Sequence, residues 1–171
     1  MASSFLEIGQ DAQRRWQKLV AGEKPWIRIG TALCGEAAGA FELVDTVAAE
    51  LATQGVSAQV SRVGCLGLCF AEPLMDVQLP GAHRIFYGNV SSEDIPEIIS
   101  KHVSGGAPVV ARALGYIQEA GSNDPLPEGI LDLDQHPMRI WENRIVLRNA
   151  GNIDPSDIYQ LYSNGVYRDL H

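Results

Sequence analysis

Cysteine is scarce in this chain, with three in 171 residues. Three thiols cannot all pair, so the fold does not rest on a disulfide framework. Basic residues are outnumbered, 13 Lys and Arg against 21 Asp and Glu, for a formal net charge of −8. That balance excludes nucleic acid as the partner, because phosphate binding needs a basic surface. No apolar run approaches the ~20 residues that span a bilayer, so direct membrane insertion is not expected. Met1 to Val20 has no basic stretch leading into an apolar core, so no secretory signal is visible. The expected compartment is therefore the reducing cytoplasm, where thiols stay free. Hydrophobic residues make up 46% of the chain, enough for one domain with a proper core and some further chain.

What is there is concentrated. All three cysteines lie in two short pieces, Thr31-Ala32-Leu33-Cys34-Gly35 and Val63-Gly64-Cys65-Leu66-Gly67-Leu68-Cys69-Phe70. Each piece follows a β-branched or apolar run, and glycines flank the thiols, which lets the backbone turn tightly and bring N–H groups toward sulfur. A thiolate pair at the spacing of Cys65 and Cys69 can grip a metal ion. The spacing also admits buried apolar cysteines or a disulfide. It is one residue too long for the Cys-x-x-Cys motif, which argues against thiol–disulfide exchange.

In chain order, Phe5, Ile8, Ala12, Trp16 and Leu19 make one face of a helix over 4–20, which Gly22 ends. Trp26 to Gly30 reads as a strand. A second helix begins around Cys34 and carries Phe41, Val44, Val47, Ala48 and Leu51 to a stop at Gly55. Val56 to Val63 alternates as a second strand and runs into the Cys65 loop. Leu74 to Leu79, the turn Pro80-Gly81 and Arg84 to Tyr87 form a hairpin. Ser91 with Asp94 resembles a capping box, and Ile95, Ile98, Ile99 and Val103 give a last helical face. This order predicts an α/β, thioredoxin-like four-stranded mixed sheet flanked by helices, with an extended C-terminal tail. Residues 1–103 form the domain. Residues 104–138 read as a linker or extended segment, and 139–171 as a strand–helix tail, with strand character over Arg139 to Asn149 and a helix starting at Asp154-Pro155. The tail cannot bury a core of its own, so it is expected to pack against the first domain or a partner, pair with a second copy, or become ordered on a partner.

Cys34-Gly35-Glu36-Ala37-Ala38-Gly39-Ala40, Gly64-Cys65-Leu66-Gly67-Leu68-Cys69, Glu72-Pro73-Leu74 and Tyr87-Gly88-Asn89-Val90 resemble stretches of the thioredoxin-like [2Fe-2S] ferredoxin domain of NADH-oxidising complexes. The tail, from Arg144 through Asp154-Pro155 to Tyr167-Arg168-Asp169-Leu170, resembles the opening of the NADH- and FMN-binding flavoprotein subunit of complex I-like NADH dehydrogenases and of NAD-linked or bifurcating hydrogenases. The resemblance implies an electron-transfer subunit or domain, without catalysis of its own, carrying a [2Fe-2S] cluster within an NAD(H)-linked oxidoreductase complex. It implies Cys34, Cys65 and Cys69 as metal ligands, and a flavoprotein subunit and other iron–sulfur subunits as partners. FMN and NAD are not expected on this chain, because no glycine-rich loop for them is present. The family pattern uses four cysteines, and Ile29 to Leu33, where the fourth would fall, offers only Thr31 as a side-chain oxygen. The alternative is a cluster-free thioredoxin-like adaptor that serves assembly. His83, His102, His136 and His171 read as solvated or structural, and Glu72 and Asp76 as a solvated face rather than an acid–base pair. Ser3-Ser4 and Ser91-Ser92 read as helix caps, with no histidine placed to activate a serine.

Overall fold

A computed structural model describes residues 5–167. Ser3-Ser4, Arg168-Asp169-Leu170 and His171 lie outside the described residues. Helix α1 (Phe5–Val20) precedes strand β1 (Trp26–Gly30), the short helix α2 (Leu33–Ala37), helix α3 (Ala40–Gln54) and strand β2 (Gln59–Val63). The hairpin strands β3 (Met75–Gln78) and β4 (Arg84–Tyr87) follow, then helix α4 (Ile95–Ile98), which continues as a wider turn through Ser104. Strand β5 (Ala113–Ile117) and helix α5 (Ile158–Ser163) complete the described elements.

The strand order is β2-β1-β3-β4-β5. β1 and β2 are parallel, with Ile27 opposite Val60, and parallel neighbours need the crossover that α2 and α3 provide. β3 runs antiparallel to β1 and β4 antiparallel to β3, with Val77 between Ile27 and Ile85. This βαβ unit followed by a hairpin and a helix is the thioredoxin-like arrangement the sequence leads one to expect.

Two features correct that expectation. The sheet has five strands, not four: β5, from the stretch read as an extended linker, pairs with β4 and places Gly115 opposite Phe86. The strand expected over Arg139 to Asn149 is absent, and the chain there follows turns. Ile145, Val146 and Leu147 have strand-forming side chains but no strand beside them, and all three are exposed.

The period-2 alternation of the strands separates two faces. Ile27, Ile29, Val77, Ile85 and Tyr87 meet Leu43, Val47 and Leu51 of α3 and Ile95, Ile98 and Ile99 after the hairpin, forming the main core. The opposite face carries Arg28, Asp76 and Arg84, all buried. Asp76 Oδ1 accepts from Arg28 Nε at 2.8 Å, and Oδ2 from Arg84 Nη2 at 2.8 Å. Arg28 also lies over the Trp26 ring at 4.0 Å, and Trp26 meets Trp16 of α1 edge-on at 6.0 Å.

The tail closes this charged face. Arg84 donates to Asn152 Oδ1 at 2.6 Å and to the Gly151 carbonyl at 2.8 Å. α5 packs along α1, where Arg15 sits 3.9 Å over the Tyr159 ring. The surface the tail needs is thus supplied within the chain by α1 and the second face of the sheet. Among the described residues no helix is long and apolar enough to cross a membrane.

Candidate metal centre

The loop after β2 is anchored by its leucines, which leaves its cysteines outward. Leu66 and Leu68 are buried with Ala71, Leu74, Phe86 and Leu133 in a second apolar cluster. Between them Gly67 takes a φ of +87°, a left-handed conformation that glycine adopts without a Cβ clash. This turn aims the Gly67 N–H at Cys65 Sγ, 3.1 Å away. Cys69 then opens a single 3₁₀ turn through Ala71. Arg144 from the tail donates to the Leu66 carbonyl and, at 3.2 Å, to the Ala150 carbonyl, which clamps the loop from outside.

Cys34 arrives from the other side, on α2 just past β1. Helix and strand end approach so closely that a Cβ on Gly35 would lie 2.1 Å from the Gly30 carbonyl oxygen, so only glycine fits there. The consequence is convergence. Cys34 Sγ lies 3.3 Å from Cys69 Sγ, Cys65 Sγ lies 3.7 Å from Cys69 Sγ, and all three sulfurs fall within 4.8 Å of one another. The thiols are free; a disulfide would need about 2.05 Å. Cys34 and Cys65 are half-buried and Cys69 is exposed. Hydrogen bonding to Cys34 and then to Cys65 pushes the Cys69 thiol up to about 11, and repulsion between thiolates at this spacing adds to it. A cation removes that repulsion, and thiolate sulfur is the donor that selects zinc or iron–sulfur groups.

The described histidines are occupied elsewhere. His83 is buried, and its Nδ1 accepts from the Glu119 N–H at 3.2 Å while Nε2 meets the Asp124 carbonyl at 3.0 Å. The Val109 N–H donates to the Tyr87 hydroxyl at 3.2 Å, and the same hydroxyl shares a hydrogen bond with His102 Nδ1 at 2.8 Å. Burial lowers His102 to about 4. His136 stacks on Phe70 with centroids 5.9 Å apart, and its Nδ1 accepts from the Met138 N–H.

The two carboxylates read as a solvated face are buried instead, Asp76 at 2% and Glu72 at 8% exposure. For Asp76 the cost of burial is outweighed by Arg28 and Arg84, which hold its carboxyl below the usual range. Glu72 shares the cysteine site. Burial raises its carboxyl above the ordinary value, against the opposing influence of the Leu74 N–H, which donates to Oε2 at 2.9 Å, and of the Cys65 side chain. Sequence reasoning missed Glu72. The available signal was its place between the Cys69 turn and Pro73, where the chain turns inward toward β3.

No family profile matches the chain. It is 28% identical over 94 residues to the NADP-reducing hydrogenase subunit HndB of Solidesulfovibrio fructosivorans, covering 54% of this chain and 75% of that one. It is 34% identical over 67 residues to a 2Fe-2S ferredoxin of Clostridium pasteurianum, covering 38% of this chain and 63% of the ferredoxin. Among solved structures, a thioredoxin-like [2Fe-2S] ferredoxin from Aquifex aeolicus superposes with a TM-score of 0.48 at 21% identity, over 58% of this chain and 97% of that one. The chain is thus similar to 2Fe-2S ferredoxins and to a hydrogenase subunit, as the residues around Cys34 and Cys65 to Cys69 lead one to expect.

Proposed function

We propose that this chain is an electron-transfer subunit or domain that carries a [2Fe-2S] cluster on Cys34, Cys65 and Cys69, within a multisubunit oxidoreductase complex. The observation that carries this reading is the convergence of all three sulfurs from two separate loops to within 4.8 Å. The donor set fits the group, because thiolates are the usual ligands of such clusters, and similarity to two ferredoxins supports it. When bound, the cluster supplies one-electron redox chemistry.

The protein's part is to hold and tune. Leu66 and Leu68 fix the loop so that Cys65 and Cys69 face outward, and the Gly67 N–H withdraws electron density from Cys65 sulfur, which favours the reduced state. Exposed Cys69, with Leu33 at 81% and Phe70 at 55% exposure, leaves this edge open for a partner. Partners are other subunits of the complex. The finer reading, in a reducing cytoplasm, is a flavoprotein that takes NAD(H) and other iron–sulfur subunits, with exposed Trp141, Ile145 and Val146 contributing to docking.

The test is anaerobic reconstitution followed by iron and sulfide analysis. Close to two iron and two sulfide per chain, with visible absorbance, supports the proposal, and Cys34→Ser, Cys65→Ser and Cys69→Ser should each lower it severely. A colourless, iron-free protein after reconstitution leaves the cluster-free adaptor, which the presence of only three cysteines favours.

A further inference from the structure

Three thiolates leave a [2Fe-2S] centre one protein ligand short of the usual four. We propose that Glu72 is the fourth ligand, so that the cluster is held by three cysteine sulfurs and one carboxylate oxygen. This rests on the cluster reading above.

Four observations point to Glu72. It follows Cys69 by one short turn, so the backbone that places one ligand also places the other. The residue is more than nine-tenths buried, at 8% exposure. One carboxylate oxygen, Oε2, accepts from the Leu74 N–H at 2.9 Å, while the other, Oε1, is buried with no hydrogen-bond partner. A buried carboxylate oxygen left unpaired is costly, and an ion is one of the few partners that relieves it. Finally, the carboxylate lies against the two ends that lead into the thiol site. Its oxygens lie 3.2 and 3.3 Å from where a Cβ on Gly30 would stand. The same Oε2 is 3.2 Å from a Cβ position on Gly35, the neighbour of Cys34. Glu72 therefore fills the space between the end of β1 and the start of α2, against both cysteine-bearing pieces.

The competing donors are weaker. His83 has both ring nitrogens engaged elsewhere, and His102 has its Nδ1 engaged by Tyr87. Asp76 is saturated by two guanidinium groups. Carboxylate oxygen is a harder donor than thiolate, so a centre with one such ligand differs spectroscopically from one with four thiolates.

The experiment uses the full chain, reconstituted anaerobically as wild type, Glu72→Gln and Glu72→Cys. The readouts are iron and sulfide content, visible circular dichroism, electron paramagnetic resonance of the dithionite-reduced protein, and the rate of iron loss to a chelator. Glu72→Gln keeps the shape and the acceptor for Leu74 but loses the anionic donor, so iron loss should be at least about tenfold faster. Glu72→Cys should hold iron at least as firmly as wild type, with shifted g values and dichroism as oxygen gives way to sulfur. The proposal is overturned if Glu72→Gln keeps wild-type g values and loses iron within twofold of the wild-type rate. It is equally overturned if Glu72→Cys leaves both spectra unchanged, which also decides the matter should the glutamine variant not fold. Wild type that takes up neither iron nor sulfide overturns the cluster reading itself and this proposal with it. Loaded wild type with indifferent variants removes only the role of Glu72.

Discussion

Asp76 and Glu72 are both buried carboxylates, four residues apart in sequence, yet their surroundings differ. Asp76 sits under the tail with a guanidinium on each side, and both its oxygens accept at 2.8 Å. Glu72 sits beside the thiols with one oxygen paired to a backbone N–H and the other unpaired. One pocket has spent its polar groups on itself. The other keeps a donor in reserve. A buried acid whose partners are complete belongs to the architecture, whereas one left incomplete next to soft metal ligands belongs to the site.

The largest effect should come from breaking the complete pocket. Asp76→Asn leaves Arg28 and Arg84 buried without their counter-charge, and should cost roughly 3–5 kcal/mol in urea unfolding. A loss below about 1 kcal/mol would mean that water or Glu119, 3.9 Å from Arg84, already serves the guanidinium groups.

The second effect uses pH to probe a third buried group. Burial holds His102 near 4 in the fold against 6.5 in the unfolded chain. As pH falls the unfolded chain takes up the proton first. Stability from this group is therefore intact above 6.5 and is lost progressively down to 4, by about 3 kcal/mol. His102→Gln should flatten the unfolding free energy across that window relative to wild type, and parallel curves for the two proteins would count against the assignment.

Gly67→Ala comes next, because φ of +87° disfavours any residue with a Cβ. A loss of about 1–2 kcal/mol is expected, together with a shifted visible spectrum of the loaded protein as the N–H leaves Cys65. An unshifted spectrum would show that the hydrogen bond does not tune the centre.

The smallest stability effect is the one that sharpens the contrast. In metal-free protein Glu72→Gln should change unfolding by less than about 1 kcal/mol, because it keeps the acceptor for Leu74 and drops a desolvated charge. A loss comparable to that of Asp76→Asn would place Glu72 with the architecture after all.

Much of this was legible in the residues. Of the face expected on the second helix, Val47 and Leu51 are buried and Val44 packs against the core, but Phe41 and Ala48 are exposed and Leu43 is buried instead. The alternation of Ile27, Ile29, Val77 and Ile85 reports its core-facing stripe directly, and the thiols converge as their flanking glycines suggest. Burial of Asp76 was not legible, because a polar residue alternating along a hairpin strand reads as solvent-facing unless one knows what covers it. The cover comes from Gly151 and Asn152, some 70 positions away, through Arg84. β5 was missed for a related reason. Ala113 to Ile117 contains a glycine and no alternation, and its strand state comes from pairing with β4. Ile145-Val146-Leu147 errs the other way, with strong local preference and no neighbouring strand to complete it.

The fifth strand also leaves the sheet with two unlike borders. At the β5 border, Tyr116 makes a further bridge to Asp132, and a Cβ on Gly115 would lie 2.5 Å from Leu133 Cδ2, so this margin is wrapped by its own chain. At the other border, β2 hydrogen-bonds only to β1 among the described strands, and its outward residues Gln59 and Arg62 are exposed. Polar and charged side chains of this kind discourage indiscriminate strand addition. The free ladder of backbone groups is therefore on the strand that delivers Cys65. A strand added at that border would run beside the strand that leads into the thiol loop, whereas the β5 border has its place already taken.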